Sequence, residues 1–329
     1  MRDWSGRLAD KPSIAVRDLT RRFGQFVAVD RMSFDVARGE IFGFLGSNGA
    51  GKSTTIRMLC GLLKPTSGTA LVGGIDVTRD PEGVKRRIGY MSQRFSLYEL
   101  LTVDQNIAFF GGVYGLDRAT LAERRRFVIE MAGLAGREQT LARNLAGGWR
   151  QRLALGCAIL HEPAILFLDE PTGGVDPLSR RQFWRLIDTL SQSGVTVLVT
   201  THYLDEAERC HRVALIHAGR LATIGTTTEV KQVFAGRPIL EIRADKPLEA
   251  MRLLDGFPDV EKTSLFGTAL HAVLRSADVT PDAIAEKLRA AGVRVDNIDT
   301  VAPSLEDVFL DVIDRESAKA LRPGSGQVA

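Results

Sequence analysis

Hydrophobic residues in the first 235 positions fall into short uninterrupted runs, separated by glycine turns and amphipathic stretches. Residues 14–19 and 32–36 read as early strands, Ile41–Leu45 is a compact apolar run, and 164–168 and 195–200 are uninterrupted apolar strands. Runs without polar alternation belong to a sheet covered on both faces, which is the condition of parallel sheets. Between the last two, residues 179–191 place Phe183, Ile187 and Leu190 at i, i+4 and i+7, one apolar helical stripe. Strands alternating with helices predict an α/β unit.

Beyond residue 237 the order changes to strand (239–243), helix (247–254), two strands flanking Gly267, a helix from Thr280 and a strand at 293–295. This β-α-β-β-α-β order predicts a small α+β unit of the ferredoxin-like kind. Thr280 followed by Pro281 reads as a helix start, a side-chain cap with proline at the first helical position. Ser304 with Asp307 three residues on marks a last helix, and the Gly/Ser/Pro-rich tail from 317 is expected to lack order.

At 329 residues the chain is long enough for two domains, at roughly 100–200 residues each. A hydrophobic fraction of 44% and a charged fraction of 25% exclude wholesale disorder. The net charge of +3 gives no electrostatic case for a nucleic-acid partner. Basic clusters at Lys85-Arg86-Arg87, Arg124-Arg125-Arg126 and Arg180-Arg181 are flanked by acids and lack an aromatic ladder, so they read as solvated helix faces; Arg124 to Arg126 could also lie near anionic lipid. No apolar run approaches the ~20 residues of a membrane span, and the charged first residues lack the apolar segment of a signal peptide. Cys60, Cys157 and Cys210 stand apart from one another, the pattern of buried thiols in a reducing compartment rather than of disulfides or zinc.

The chemistry begins directly after the strand Ile41–Leu45. Gly46-Ser47-Asn48-Gly49-Ala50-Gly51-Lys52-Ser53 matches GxxxxGK[ST] and runs into a helix predicted over 54–63. Glycines let the backbone wrap a triphosphate with its N–H groups inward, and the helix N-terminus adds positive potential. Lys52 would reach the β- and γ-phosphates, and the Ser53 hydroxyl would hold Mg²⁺. The strand at 164–168 delivers Asp169 and Glu170 at its C-terminal end. Asp169 is placed to hold magnesium directly or through water, and Glu170 to orient or deprotonate an attacking water.

Further elements then appear in a fixed order: Phe23, the loop at Gly46, Gln93 in Tyr90-Met91-Ser92-Gln93, and Leu145-Ala146-Gly147-Gly148-Trp149. Asp169-Glu170, Asp176 in Gly174-Val175-Asp176-Pro177 and His202 after Thr200-Thr201 complete the series. Over residues 14–234 the chain resembles the ATP-binding subunit of ATP-binding-cassette (ABC) transporters. The resemblance implies a P-loop NTPase fold of α/β class, a RecA-like core plus a helical subdomain. Its expected divisions are an N-terminal extension (1–12), an ATPase domain (13–236, helical subdomain about 95–150), a ferredoxin-like accessory domain (237–316) and an unordered tail (317–329).

The resemblance also assigns roles. Phe23 would stack on adenine, and Gly46 to Ser53 with Thr54 would bind the phosphates. Gln93, with Ser53 and Asp169, would sense Mg²⁺ and link the site to the segment 94–100, facing a membrane partner. Glu170 and His202 would carry hydrolysis with Lys52 and Gln93. Ala146, Gly147, Gly148 and Asp176 would serve an ATP held across a head-to-tail dimer. The implied partners are an integral-membrane permease and a second ATP-binding subunit, identical or different, with no nucleic acid. The implied place is the cytoplasmic face of the cell membrane, held there by the permease. Glu170-Pro171-Thr172-Gly173-Gly174-Val175-Asp176-Pro177 and Pro303-Ser304-Leu305-Glu306-Asp307-Val308-Phe309 resemble the exporter class that moves drugs, lipids or polysaccharides.

One departure stands out. Where the family carries LSGGQ, this chain has Ala146 and Trp149, so one γ-phosphate hydroxyl contact is missing, worth roughly 1.5–3 kcal/mol, while Arg150 and Arg152 remain. Three readings stay open on the residues alone: a transport ATPase, a non-transport member of the same superfamily, and a module that closes on ATP with little turnover.

Overall fold

The computed structural model describes residues 11–93 and 97–321, with side chains described as far as residue 316. The segment 94–96, most of the expected N-terminal extension and the last part of the tail lie outside the described residues. The chain divides into two compact units, one ending at Thr227 and taking up again at Glu316, the other Thr228–Arg315.

The first unit opens with β1 (Ile14–Phe23), β2 (Phe26–Val36), β3 (Ile41–Leu45) and α1 (Lys52–Leu59), then β4 (Ser67–Val72), β5 (Ile75–Asp76), α2 (Pro81–Lys85) and β6 (Ile88–Met91). Three helices follow: α3 (Val103–Val113), α4 (Arg118–Ala132) and α5 (Gly147–Ala158). The unit closes with β7 (Ile165–Asp169), α6 (Pro177–Gln192), β8 (Thr196–Thr201), α7 (Leu204–Ala207), β9 (Arg212–His217) and β10 (Arg220–Gly225). A six-stranded sheet in the order β10-β9-β3-β8-β7-β6 is parallel from β9 to β6, and an antiparallel sheet runs β2-β1-β4-β5. Every residue of β3, β7 and β8 is buried, as their unbroken apolar runs require. Phe34, Phe42 and Phe44 pack ring on ring between the sheets.

Two expectations need adjusting. Helix α1 starts at Lys52, inside the glycine loop, because Gly51 at φ 105° turns the chain directly into it. On α6 the buried stripe is Phe183, Trp184, Ile187 and Ser191, with Leu190 only half-buried. Ser191 donates to Gly39 O at 2.7 Å, which rolls that face inward.

Arginine ties the helical segment together. From α4, Arg124 donates to Ile159 O and Leu160 O just past the end of α5 and to Glu162, while Arg125 grips Asp104 of α3 with two bonds of 2.8 and 2.7 Å. Two members of the basic cluster are therefore engaged within the protein. Cys60, Cys157 and Cys210 are all buried free thiols, and burial drives each thiol pKa up. No helix among the described residues is long and apolar enough to cross a membrane.

The second unit takes up near α8 (Thr227–Lys231) and continues with β11 (Ile239–Ala244), α9 (Pro247–Asp255), β12 (Val260–Phe266), β13 (Ala269–Leu274), α10 (Pro281–Ala290), β14 (Val295–Val301) and α11 (Leu305–Leu321). Its antiparallel sheet has the order β12-β13-β11-β14, the arrangement of a split β-α-β pair. Strand β14 begins where the expected strand 293–295 ends, since Val293 packs into the core of α9 and α10. Thr280 caps α10 by accepting from Ala283 N, and Ser304 and Asp307 exchange hydrogen bonds at the start of α11. Residues 317–321, expected without order, continue this helix, in keeping with Ala318, Lys319, Ala320 and Leu321 being strong helix formers.

Beneath α11 lies a polar layer. His271 Nδ1 meets Asp307 Oδ1 at 2.8 Å, and Nε2 faces Glu241 at 3.7 Å. Burial works to lower the His271 pKa, but the bonds and charges of Asp307 and Glu241 outweigh it and raise the value; Asp307 is correspondingly lowered despite its burial. A raised histidine stabilises fully below its unfolded value, near 6.5, and loses that contribution as pH rises through the folded value. A lowered aspartate holds its contribution down to its folded value. The stability gap between wild type and His271→Gln is therefore largest between about pH 5 and 6.5, roughly 1.5–3 kcal/mol, and narrows toward pH 9. Urea titrations of both proteins across that range give the measurement; a gap that widened with pH would reverse the assignment.

Candidate active site

Strand β3, the loop 46–51 and α1 form one continuous turn. A Cβ on Gly46 would lie 2.5 Å from Ile216 O and one on Gly51 2.6 Å from Ala28 O, so the loop closes on its neighbours only with glycine there. Ser47, Asn48 and Gly49 are exposed at its crest, whereas Ala50 packs into the core. Lys52 folds back beneath it, donating to Gly46 O at 2.8 Å and Ser47 O at 3.2 Å. Only 4% of Lys52 is exposed; burial lowers its pKa, with Glu170 and Asp169 pulling the other way.

Strands β7 and β8 deliver the acids. Asp169 Oδ1 accepts from Ser53 Oγ at 3.0 Å and from Thr200 Oγ1 at 2.7 Å. Thr200 Oγ1 in turn accepts from Glu170 N at 2.9 Å, so one hydroxyl on β8 fixes both residues at the end of β7. Glu170 has φ 49°, a left-handed conformation that costs of order 1–3 kcal/mol in a non-glycine residue. The turn aims its carboxylate at three partners: Gln93 Nε2 at 3.0 Å, His202 Nδ1 at 3.4 Å and Lys52 Nζ at 3.7 Å. Three residues drawn from positions 52, 93 and 202 thus converge on one carboxylate.

A cleft of about 390 Å³ opens over this cluster, lined by the loop, by Ser53, Thr54, Gln93 and Glu170, and by two exposed aromatic rings, Phe23 and Phe26. Phe26 was not singled out from sequence; it lies across the β1–β2 turn from Phe23, paired with it in the ladder. Thr200 is the other addition, a threonine inside an apolar strand that carries no signal of its own.

Ala146, Gly147, Gly148 and Asp176 lie elsewhere; none of them lines this cleft. Ala146 is the N-cap of α5 and offers no side-chain acceptor to its first turn. A Cβ on Gly148 would fall 2.3 Å from Ser179 Oγ, so this glycine seats α5 against α6. Asp176 caps α6 by accepting from Leu178 N and Ser179 N, bonds that lower its pKa. The indole of Trp149 carries the Arg137 guanidinium 4.1 Å above its ring, which gives this residue a packing role the sequence did not disclose. Arg152 turns inward, donating to Ala132 O and Gln182 Oε1. Replacing Ala146 by Ser restores a cap worth about 0.5–2 kcal/mol, so Ala146→Ser is expected to melt higher than wild type. A melting temperature unchanged or lowered would show that the cap is not formed.

Residues 29–173 match the family model described as ABC transporter, and residues 225–313 match the C-terminal domain of DrrA1-3-like ATP-binding proteins. The chain is 52% identical over 218 residues to the probable multidrug ABC transporter ATP-binding protein YbhF of Escherichia coli K12, a match that takes in 66% of this chain but 38% of that one. It is 40% identical to the daunorubicin/doxorubicin resistance ATP-binding protein DrrA of Streptomyces peucetius, over 91% of both chains. Among solved structures, an ATP-binding subunit of an ABC transporter superposes with a TM-score of 0.62 at 30% identity, over 68% of this chain and 93% of that one.

Proposed function

The chain belongs to the ATP-binding subunits of ABC transporters, and on that premise we propose that it hydrolyses Mg·ATP between two head-to-tail subunits to drive export through a separate membrane permease. The observation that carries the reading is the meeting of Lys52, Gln93 and His202 on the carboxylate of Glu170, at the floor of a cleft whose rim is a phosphate loop. A water between Glu170 and a γ-phosphate would find a base on one side, with Lys52 and His202 to steady the developing charge on the other. Phe23 and Phe26 offer faces for a base at the far end of the cleft.

The oxygens of Ser53 and Asp169, 3.0 Å apart, suit a hard divalent cation that takes its remaining ligands from phosphate and water, with Gln93 at its edge. With Ser53 and Asp169 holding it, such a cation would supply charge neutralisation to the phosphates. The chain's own part is to present Ser53 at the start of α1 and to fix Asp169 through Thr200.

Ala146, Gly147, Gly148 and Asp176 stand apart from the cleft, which favours a second subunit bringing its own copy of them to this one. That subunit is identical, or else a different chain with a full signature. The first unit carries the ATPase work and the second an accessory role. For the permease, the fitting surface is the apolar patch of Tyr98, Leu100, Phe109 and Val113, each at least 40% exposed. Buried Asn106 holds that patch in place, accepting from Tyr98 N and donating to the carbonyls of Tyr98, Leu101 and Thr102. The resistance-protein relative supports a drug-like cargo, with lipid or polysaccharide as the other classes.

Co-purification of a multi-span membrane protein, with ATPase turnover that rises when it is present, is the expected result. Turnover no faster in wild type than in Glu170→Gln would sink the hydrolase reading.

A further inference from the structure

Behind His202 lies a stack that the reaction as described does not use. The His202 ring packs on Tyr203 with centroids 4.1 Å apart, and the guanidinium of Arg180 lies 3.8 Å over the other ring centre. Arg180 belongs to the first turns of α6, and its Nε faces the buried Glu206 at 3.4 Å, with Asp205 at 3.8 Å. Glu206 in turn accepts from Thr172 Oγ1 at 2.9 Å and Thr201 Oγ1 at 2.8 Å. Thr172 is two residues past Glu170, and Thr201 is next to His202. One carboxylate therefore joins the loops that carry both members of the hydrolytic pair, and Arg180 is clamped between that carboxylate and the tyrosine ring.

The His202 side chain is 44% exposed and meets Glu170 at 3.4 Å, with no closer polar partner among the described residues. Its plane must be set from behind. We propose that Arg180 is a positioning residue that holds His202 against Glu170 through the ring of Tyr203. The cation on the face of Tyr203 fixes that ring, and the ring fixes the imidazole. Phenylalanine at 203 keeps this function because the face, not the hydroxyl, carries it. The same end of α6 bears Ser179 under Gly148 of α5, so one helix end touches both that glycine and the stack behind His202.

This inference rests on the reading of Glu170 and His202 as the hydrolytic pair, and the test keeps the two apart. Turnover of ATP by the full chain is measured for wild type, Arg180→Gln, Tyr203→Phe and Tyr203→Leu, with Glu170→Gln as the reference for hydrolysis. Arg180→Gln and Tyr203→Leu are expected to lower kcat about 5- to 30-fold while KM for ATP stays within about twofold, and Tyr203→Phe to stay near wild type. The Cε1–H resonance of His202, one of five histidines, is read in parallel. It moves in Arg180→Gln and Tyr203→Leu and stays in place in Tyr203→Phe. A kcat for Arg180→Gln within twofold of wild type, an unmoved resonance, or equal losses in Tyr203→Phe and Tyr203→Leu would overturn the proposal. Should Arg180→Gln fail to fold beside Glu206, the two Tyr203 variants decide it. Wild-type turnover equal to that of Glu170→Gln would instead remove the hydrolytic reading, and the resonance alone would then judge the stack.

Discussion

Glu170→Gln is expected to lower ATP turnover by about 10²- to 10⁴-fold and to leave ATP binding within a few-fold of wild type. The amide keeps the size of the carboxylate and can still meet His202, but it cannot take a proton from water. Lys52 loses its 3.7 Å counter-charge, which leaves more of its charge for phosphate and works to tighten binding. A subunit that binds and cannot cleave accumulates as the closed pair, so size-exclusion chromatography with Mg·ATP is expected to show a dimer that wild type passes through quickly. Fluorescent-nucleotide titration separates the two effects. Loss of affinity in step with turnover would make Glu170 a binding residue, not a base.

Lys52→Ala should fail at the other step. The ammonium already donates to two loop carbonyls, so it is pre-oriented under the crest where phosphates would lie. Removing it takes away charge-assisted bonds of roughly 1.5–3 kcal/mol each, and two of them weaken ATP binding about 10²-fold or more. It also leaves Glu170 facing Gln93 and His202 without a cation beside it, so the carboxylate is less well balanced. Isothermal titration with Mg·ATP reads this directly, and affinity within threefold of wild type would remove Lys52 from the phosphate site.

The two variants also locate what could be read from the chain alone. The glycine loop was legible because strand, loop and helix are contiguous and each glycine answers a close approach of backbone. Asp169 and Glu170 were legible because they end an apolar strand that reads as central in the sheet, where a solvated pair of acids is the weaker explanation. Thr200 was not, since a threonine in a β-strand is ordinary; only pairing of β8 with β7 brings its hydroxyl between Asp169 and Glu170 N. The partner of Trp149 was hidden likewise, because Arg137 reaches it from a loop, and no periodicity links the two. Residues 317–321 were misjudged from the composition of the whole tail, when the helix formers sit before the proline and the glycines after it. In the second unit, strand order follows from the alternation of elements, but the charged layer under α11 does not, because Glu241, His271 and Asp307 come from β11, β13 and α11.

The arginine ties of the helical segment carry a mechanical consequence. Asp104 near the start of α3 is gripped by α4, and α4 grips the end of α5, whose other end carries Gly147 and Gly148. These are directional, charge-assisted joints between rods, so they stiffen the segment against shear. Were a partner to push on the apolar patch of α3, such ties would favour passing the displacement on toward Gly147 and Gly148 over absorbing it by bending.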